Sequence, residues 1–449
     1  MRWILVLLVL GALGAAVTLA WPRLEGDAPQ LLGPDQVVLG GSGTTLEVGW
    51  QDAGTGLRSI EAVIESGPTD SPKRVELHAR TWEGSALTGP ADPARDESIE
   101  LALDAKALDL ADGQANLVLR ARDWAWSDSF AGNAAELRIP LLVDTRAPKL
   151  SVESGLTYIR RSGSAAVIYR TGSDAVRSGA RVGDAWFPGV ALPDGSHVAV
   201  FAIPIDAAKD PEVEVVASDR AGNEATSGFD VRVQERKFAE ITIALPPRFL
   251  DRVARRLGEE NDMTESTPLA TFQRVNSELR EKSEAVIAAA IPEPTAKQWT
   301  GAFAQMQNSS VTSDFAELRY YTLSGERVSI ARHYGYDLAS TAKAPITASN
   351  SGTVVYADDN GIYGTLVLID HGLGITTLYG HLSSLAVAVG DKVEKGQTLG
   401  RSGATGLAGG DHLHFAVLAG HSYVDPVEWW DPKWVREHID ARLVAQAAP

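Results

Sequence analysis

Asp411-His412-Leu413-His414-Phe415, near the C-terminus of the 449-residue chain, is the stretch that organises the rest of the sequence. On a β-strand, residues i and i+2 point to the same face. With Leu413 and Phe415 turned to a core, His412 and His414 both face a groove. The run from Gly403 to Gly410 leads into the strand and supplies a tightly turned entry. A lone His-x-His also describes two surface histidines on an edge strand. The other histidines argue against that reading, because seven of the nine lie after residue 330.

Working outward, His333-Tyr334-Gly335-Tyr336-Asp337 is a His-x-x-x-Asp. Four-residue spacing suits one face of a helix, and being even it suits a strand equally. Gly335 in the middle favours the extended form. His333, Asp337 and His414 then offer two nitrogens and one oxygen. Three protein ligands and an open fourth position make a catalytic zinc site rather than a structural one. One zinc ion per chain is expected, bringing a water to a pKa of roughly 7. In Thr377-Leu378-Tyr379-Gly380-His381 the strand period puts Tyr379 and His381 on one face, with Tyr379 expected along the substrate groove. A neutral His412 is expected to accept the water proton, and a protonated His381 to stabilise the oxyanion. His371, His421 and His438 lack such partners and read as structural or solvated.

Composition narrows the alternatives. The chain has no Cys, which excludes disulfides, thiolate metal sites and Cys nucleophiles, so a transition metal must be held by His, Asp and Glu. A net charge of −17 argues against nucleic acid and against anionic membrane surfaces as main partners. Arg2 precedes an apolar run from Trp3 to Trp21, then Pro22-Arg23. Residues 1–23 read as an export segment, an uncleaved membrane anchor in preference to a cleaved signal peptide. Either form puts the remainder outside the cytoplasmic membrane.

The length implies several domains. Period-2 runs such as Thr45–Trp50, Ile60–Ile64, Ile99–Leu103 and Leu117–Asp123, broken by Gly, Pro, Asp and Ser, predict a β-sandwich over residues 24–146. A second unit, residues 147–236, repeats the ending: Val213–Asp219, a turn holding Gly222-Asn223, then a strand. Its Asp-Arg-Ala-Gly-Asn resembles the final hairpin of bacterial immunoglobulin-like domains. Both units read as spacers, with ligand or partner binding as the alternative. Residues 237–300 hold a strand, Ile241–Leu245, and a helical insert. Pro247 starts one helix, stopped by Gly258. Thr267-Pro268 caps a longer one, with Leu269, Phe272, Val275, Leu279 and Val286 on one stripe. Residues 301–431 return to β, and Asp431-Pro432 opens a closing helix over residues 432–449.

His333-x-x-x-Asp337, Tyr379-x-His381-Leu382 and His412-x-His414-Phe415, taken in order, make residues Ser313 to Trp430 resemble the lysostaphin-like zinc metallopeptidases, a family of peptidoglycan endopeptidases. Gly390-Asp391-Lys392-Val393, Gly396-Gln397 and Val424-Asp425-Pro426 look like its turns and closing segment. The resemblance implies that His333, Asp337 and His414 bind zinc, that His381 and His412 are the catalytic pair, and that a compact antiparallel β-domain carries the site. Leu407 to Asp411 departs from the family's usual Ser and Gly-Pro. The expected architecture is therefore mainly β: two immunoglobulin-like sandwiches, a helical insert and an antiparallel metallopeptidase domain. The expected function is cleavage of peptide cross-links in peptidoglycan. A non-catalytic activator of a cell-wall amidase and a surface binding protein are the alternatives. The insert, continued by Phe303 and Met306, is expected to cover the groove until a regulatory partner moves it.

Overall fold

Alternating burial along the N-terminal strands produces a sandwich. The computed structural model describes residues 20–68 and 70–444, together with residues 10, 11, 14, 17 and 18. Most of the expected export segment lies outside the described residues. Among the described residues no helix is long and apolar enough to cross a membrane. The chain divides into two units, residues 1–148 with 218–224, and residues 149–217 with 225–449.

In the first unit a three-stranded sheet, Gln30–Leu32, Thr44–Gln51 and Asp96–Leu103, and a five-stranded sheet containing Leu57–Ser66 and Gly113–Asp123 enclose one core. Val48 and Trp50 from one sheet meet Ile60, Ala62, Ile64, Leu117 and Leu119 from the other. The repeated Asp…Gly-Asn ending is a repeated hydrogen-bond device. Asp123 accepts from the Asn133 backbone N–H at 2.7 Å and its side-chain amide at 2.8 Å, while Asp219 accepts from the same two groups of Asn223 at 3.0 and 2.8 Å.

The second unit opens with another sandwich. Its sheets include Ser164–Thr171 with His197–Ala202, and Arg177–Val182 with Val213–Ser218. Its apolar core runs without a break into the C-terminal domain, from Tyr169 and Phe201 through Trp299 and Phe303 to Phe415 and Trp429. Polar contacts reinforce the junction. Glu428 accepts from the Ser164 N–H at 3.0 Å, the Trp429 indole donates to the Ser164 hydroxyl at 3.1 Å, and Arg236 pairs with Asp425.

The C-terminal domain is built on an antiparallel sheet, in the order Ser310–Ser313, Tyr336–Ala339, Leu413–Ala419, Ile375–Leu382, Thr365–Asp370, Gly352–Asp359 and Lys392–Val393, with Ser422–Val424 on the side. Along Leu413–Ala419 the odd residues Leu413, Phe415 and Val417 enter the core shared with the second sandwich. Ala416 and Leu418 face the other way and meet the helical insert. His412 and His414 are in phase with that second face.

The insert is two helices, residues 247–260 and 268–290, after a strand, Glu240–Ala244, that pairs parallel with Leu318–Leu323. Thr267 caps the second helix by accepting from the Ala270 N–H. Three local expectations are corrected. Gly258 does not stop the first helix; it lets the helices meet, since a Cβ there would come within 2.4 Å of Thr271 Cγ2. The buried stripe runs Phe272, Val275, Leu279, Ile287, because four-residue steps from Leu279 reach Ser283 and Ile287 and leave Val286 exposed. Phe303 does not extend the insert but packs edge-on against Trp429 and His371 and tilted against Trp299 in the opposite core, with Met306 packed against that core. Leu257, Met263, Val275, Leu279 and Ile287 are buried against Ile362, Leu366, Leu368 and Leu378 of the sheet domain. At ~1.5–3 kcal/mol for each buried side chain, lifting the insert off would cost on the order of 10 kcal/mol, more than a lid can lose and still open. The insert is a fixed wall.

Burial at the junction pushes the Glu428 carboxyl up to about 8, helped by Asp425 and opposed by the Ser164 N–H and the charges of Arg160 and Arg236. A carboxyl whose folded pKa is raised stabilises the fold below its unfolded pKa and loses that contribution as pH rises through 8. The melting temperature should therefore fall between pH 5 and pH 9, with a loss on the order of a few kcal/mol. Glu428→Gln, which keeps an acceptor for Ser164, should flatten that slope. Parallel slopes for parent and variant in differential scanning fluorimetry would contradict this.

Candidate functional site

Strand register assembles the site. Asp337 pairs directly with His414 on one side, and Gly380 pairs with the same histidine on the other. Directly opposed residues bring their Cβ atoms to about 5 Å, so one row across three strands concentrates the side chains. His333 precedes the strand that carries Asp337 and is buried with it. Its Nε2 lies 2.9 Å from Asp337 Oδ1 and 2.9 Å from His414 Nδ1, and His414 Nδ1 is 3.0 Å from Asp337 Oδ1.

This triangle is chemically unusual. His333 Nδ1 donates to the Asp314 carbonyl at 2.9 Å, so in the neutral ring Nε2 carries a lone pair. That lone pair faces a carboxylate oxygen and a second ring nitrogen. Three such atoms converge favourably only around a shared proton or a cation. Two imidazole nitrogens and one carboxylate oxygen suit zinc. His414 Nε2 is buried with no hydrogen-bond partner and rests against Gly335, where a Cβ would come within 2.7 Å of it. Gly335 is thus required by the close approach of the His414 ring.

Burial opposes ionisation of Asp337, yet His333, His412 and His414 hold its carboxyl well below the usual range. Arg319 donates to Asp337 Oδ2 at 3.1 Å and to Glu317 Oε2 at 3.3 Å. Glu317 Oε1 in turn accepts from the Asp314 N–H at 2.9 Å. One buried carboxylate therefore steadies both the arginine behind Asp337 and the loop whose carbonyl orients His333. Sequence reasoning missed Glu317 and Arg319. The available signal was a pair of opposite charges two residues apart at the start of an otherwise half-buried strand.

His381 and His412 flank the triangle, with ring centroids 4.8 Å apart. His381 Nδ1 donates to the Thr405 carbonyl at 2.9 Å, and His412 Nδ1 to the Gly410 carbonyl at 2.9 Å. Both rings therefore aim Nε2 inward. Burial, with the neighbouring His412 and His414, holds His381 well below its ordinary value. Burial also opposes protonation of His412, but the Asp337 carboxylate outweighs it and raises that pKa.

Tyr379 does not line the groove. It is 1% exposed, packs against Phe415 and bonds through its hydroxyl to Ser349 N–H and Thr377 Oγ1. The strand period fails at the next step but one, because His381 has a left-handed backbone, φ 64°, that turns its side chain to the face opposite Tyr379. Tyr363 is the aromatic ring near the site, 5.3 Å from the His414 ring, and its hydroxyl donates to Glu284 of the insert. His371 is fully buried between the Ser351 carbonyl and Thr377 Oγ1. His438 stacks on Trp434.

A second carboxylate group, Glu25, Asp52 and Asp123, lies in the first unit. Its oxygens receive the backbone N–H groups of Thr55, Gly56, Ala125 and Asn133, which makes it a loop-organising cluster.

Residues 331–426 match the family model described as Peptidase family M23. The chain is 38% identical over 95 residues to the DD-carboxypeptidase/endopeptidase Mpg of Neisseria meningitidis serogroup B, covering 21% of this chain and 22% of that protein. It is 39% identical over 89 residues to the peptidoglycan DD-endopeptidase ShyA of Vibrio cholerae, covering 20% and 21%. It is 35% identical over 88 residues to the stage II sporulation protein Q of Bacillus subtilis, covering 19% and 31%. The alignments thus span less than a third of these relatives' lengths. Among solved structures, the catalytic domain of lysostaphin from Staphylococcus simulans is 29% identical, with 27% of this chain and 92% of that domain covered and a TM-score of 0.23.

Purified protein should bind one zinc ion, and His414→Ala and Asp337→Ala should lose it. Arg319→Gln should weaken binding by ~10- to 100-fold, the usual effect of removing a partner behind a ligand. Elemental analysis and chelator competition measure both, and full occupancy in the ligand variants would refute the assignment.

Proposed function

We propose, on the premise that residues 331–426 form a domain of Peptidase family M23, that the chain is an exported zinc endopeptidase cleaving peptide cross-links of bacterial peptidoglycan. The reading is carried by one observation. His333, Asp337 and His414 converge within 3.0 Å, and His381 and His412 stand beside them with their Nδ1 atoms engaged by backbone carbonyls. The relatives named as peptidoglycan DD-endopeptidases support the substrate class. A non-catalytic role is disfavoured, because every ligand and both flanking histidines are retained.

The three ligands would hold zinc, which would polarise the scissile carbonyl and bring a water to a pKa of roughly 7. The protein's own groups do the rest. Arg319 and the Asp314 carbonyl keep Asp337 and His333 oriented, so no reorganisation is needed as charge develops. In their neutral forms His381 and His412 present lone pairs at Nε2, since Nδ1 of each donates to a backbone carbonyl. One accepts the proton of the attacking water, and the resulting imidazolium returns a proton to the departing amine. An imidazolium in that position also stabilises the negative charge on the tetrahedral oxygen. The apolar segment before Pro22 would tether the chain to the membrane or direct its secretion, with the remainder in the cell envelope.

His381→Ala and His412→Ala should retain zinc yet lose ~10²- to 10⁴-fold in rate on purified sacculi. Mass spectrometry of the released muropeptides measures the rate and identifies the bond cut. A loss of only two- or three-fold would exclude both from proton transfer.

A further inference from the structure

The insert and the loop before His412 enclose an open cleft of about 800 Å³, linked to the His333–Asp337–His414 triangle through Arg319. Its lining includes Arg248, Arg252, Arg256 and Arg319, with apolar ground from Phe249 and Leu407. Arg319 reaches both places, since it lines the cleft and donates to Asp337. Arg248, Arg252 and Arg256 recur every four residues on the first insert helix, so they form one stripe. Arg256 is occupied, donating to the Gly406 carbonyl at 3.1 Å and lying 3.7 Å from Glu260. Among the described residues Arg248 and Arg252 have no ion pair, and both are exposed.

A run of arginines is out of character for a chain of net charge −17. Among the described residues Arg248 and Arg252 lack a counter-charge, whereas Arg255 of the same helix lies 3.7 Å from Asp251. Guanidinium groups in a half-enclosed cleft bind carboxylates through paired N–H bonds, strengthened by the focused field. The spacing fits an extended peptide. Arg248 and Arg252 are ~6 Å apart along the helix, and alternate residues of an extended chain are ~6.6 Å apart on one side.

We propose that this cleft is the subsite for the carboxylate-bearing arm of the substrate, an acidic stem peptide laid along the insert with its scissile bond delivered to the metal triangle. The inference rests on the peptidase reading and adds the substrate's charge to it. The loop Ala404–Gly409 forms the facing wall and leads directly into His412, so a peptide in the cleft continues into the site. The departure from the family pattern at Leu407 to Asp411 has a structural counterpart here. Leu407 packs on the insert, and Arg256 holds Gly406.

The test compares two fluorescent stem peptides that differ only in whether their side-chain and terminal carboxyls are free or amidated. Binding to the full protein is measured by anisotropy at low and high salt. Cleavage of cross-linked dimers in the same two forms is followed separately. The free form should bind about tenfold more tightly at low salt, and the gap should shrink as salt rises. Arg248→Gln combined with Arg252→Gln should bring the free form close to the amidated one, with the melting temperature confirming the fold. Equal affinity of the parent for both forms, or a gap the double variant leaves intact, would overturn the proposal. A charge-dependent binding gap without cleavage of either dimer would support the carboxylate site while refuting the peptidase reading.

Discussion

Three electron-rich atoms, His333 Nε2, Asp337 Oδ1 and His414 Nδ1, are forced to within 3.0 Å of one another in a buried place. That arrangement is unfavourable for a bare protein, and much of the second unit is organised to enforce it. The sheet register sets Asp337 opposite His414. Gly335 removes the Cβ that would block the ring. Glu317, Arg319 and the Asp314 carbonyl hold the ligands from behind. Three donor atoms held together in this way are preorganised to receive a cation.

The insert shows how an apolar addition can shape chemistry without touching it. Its helices cover the sheet face on which the histidines stand, and apolar burial makes that cover permanent. The same packing delivers Tyr363 to the His414 ring and holds the loop before His412. A change in the insert core therefore acts on the site through position rather than contact. The opposite sheet face is used differently, continuing without a gap into the second sandwich, where Glu428 and Trp429 both engage Ser164. The second sandwich is thus a structural part of the C-terminal domain's support.

Much of this was legible in the sequence. Histidine and aspartate spacing named all three proposed ligands and both flanking histidines, because ligand chemistry admits few residue types and strand alternation is strict over short runs. The sandwiches, the Pro and Thr helix starts and the repeated Asp…Gly-Asn ending were readable for the same reason: each is a local rule satisfied by local residues. One failure has a backbone cause. Tyr379 was assigned to the wrong face because a single left-handed residue, His381, reverses the alternation, and no pattern of side chains announces a positive φ on a histidine.

What the sequence determined by itself, then, was the inventory: which residues hold charge, lone pairs and apolar surface, and in what local period. Tertiary structure alone decided which faces meet. Only the packed chain brings Glu317 and Arg319 behind Asp337, turns the expected lid into a wall, and aligns Arg248 and Arg252 along a cleft that Arg319 links to Asp337. Local rules depend on neighbours a few residues apart. Contacts across 80 residues, such as His333 with His414, depend on how sheets and helices cover one another, which no local period encodes.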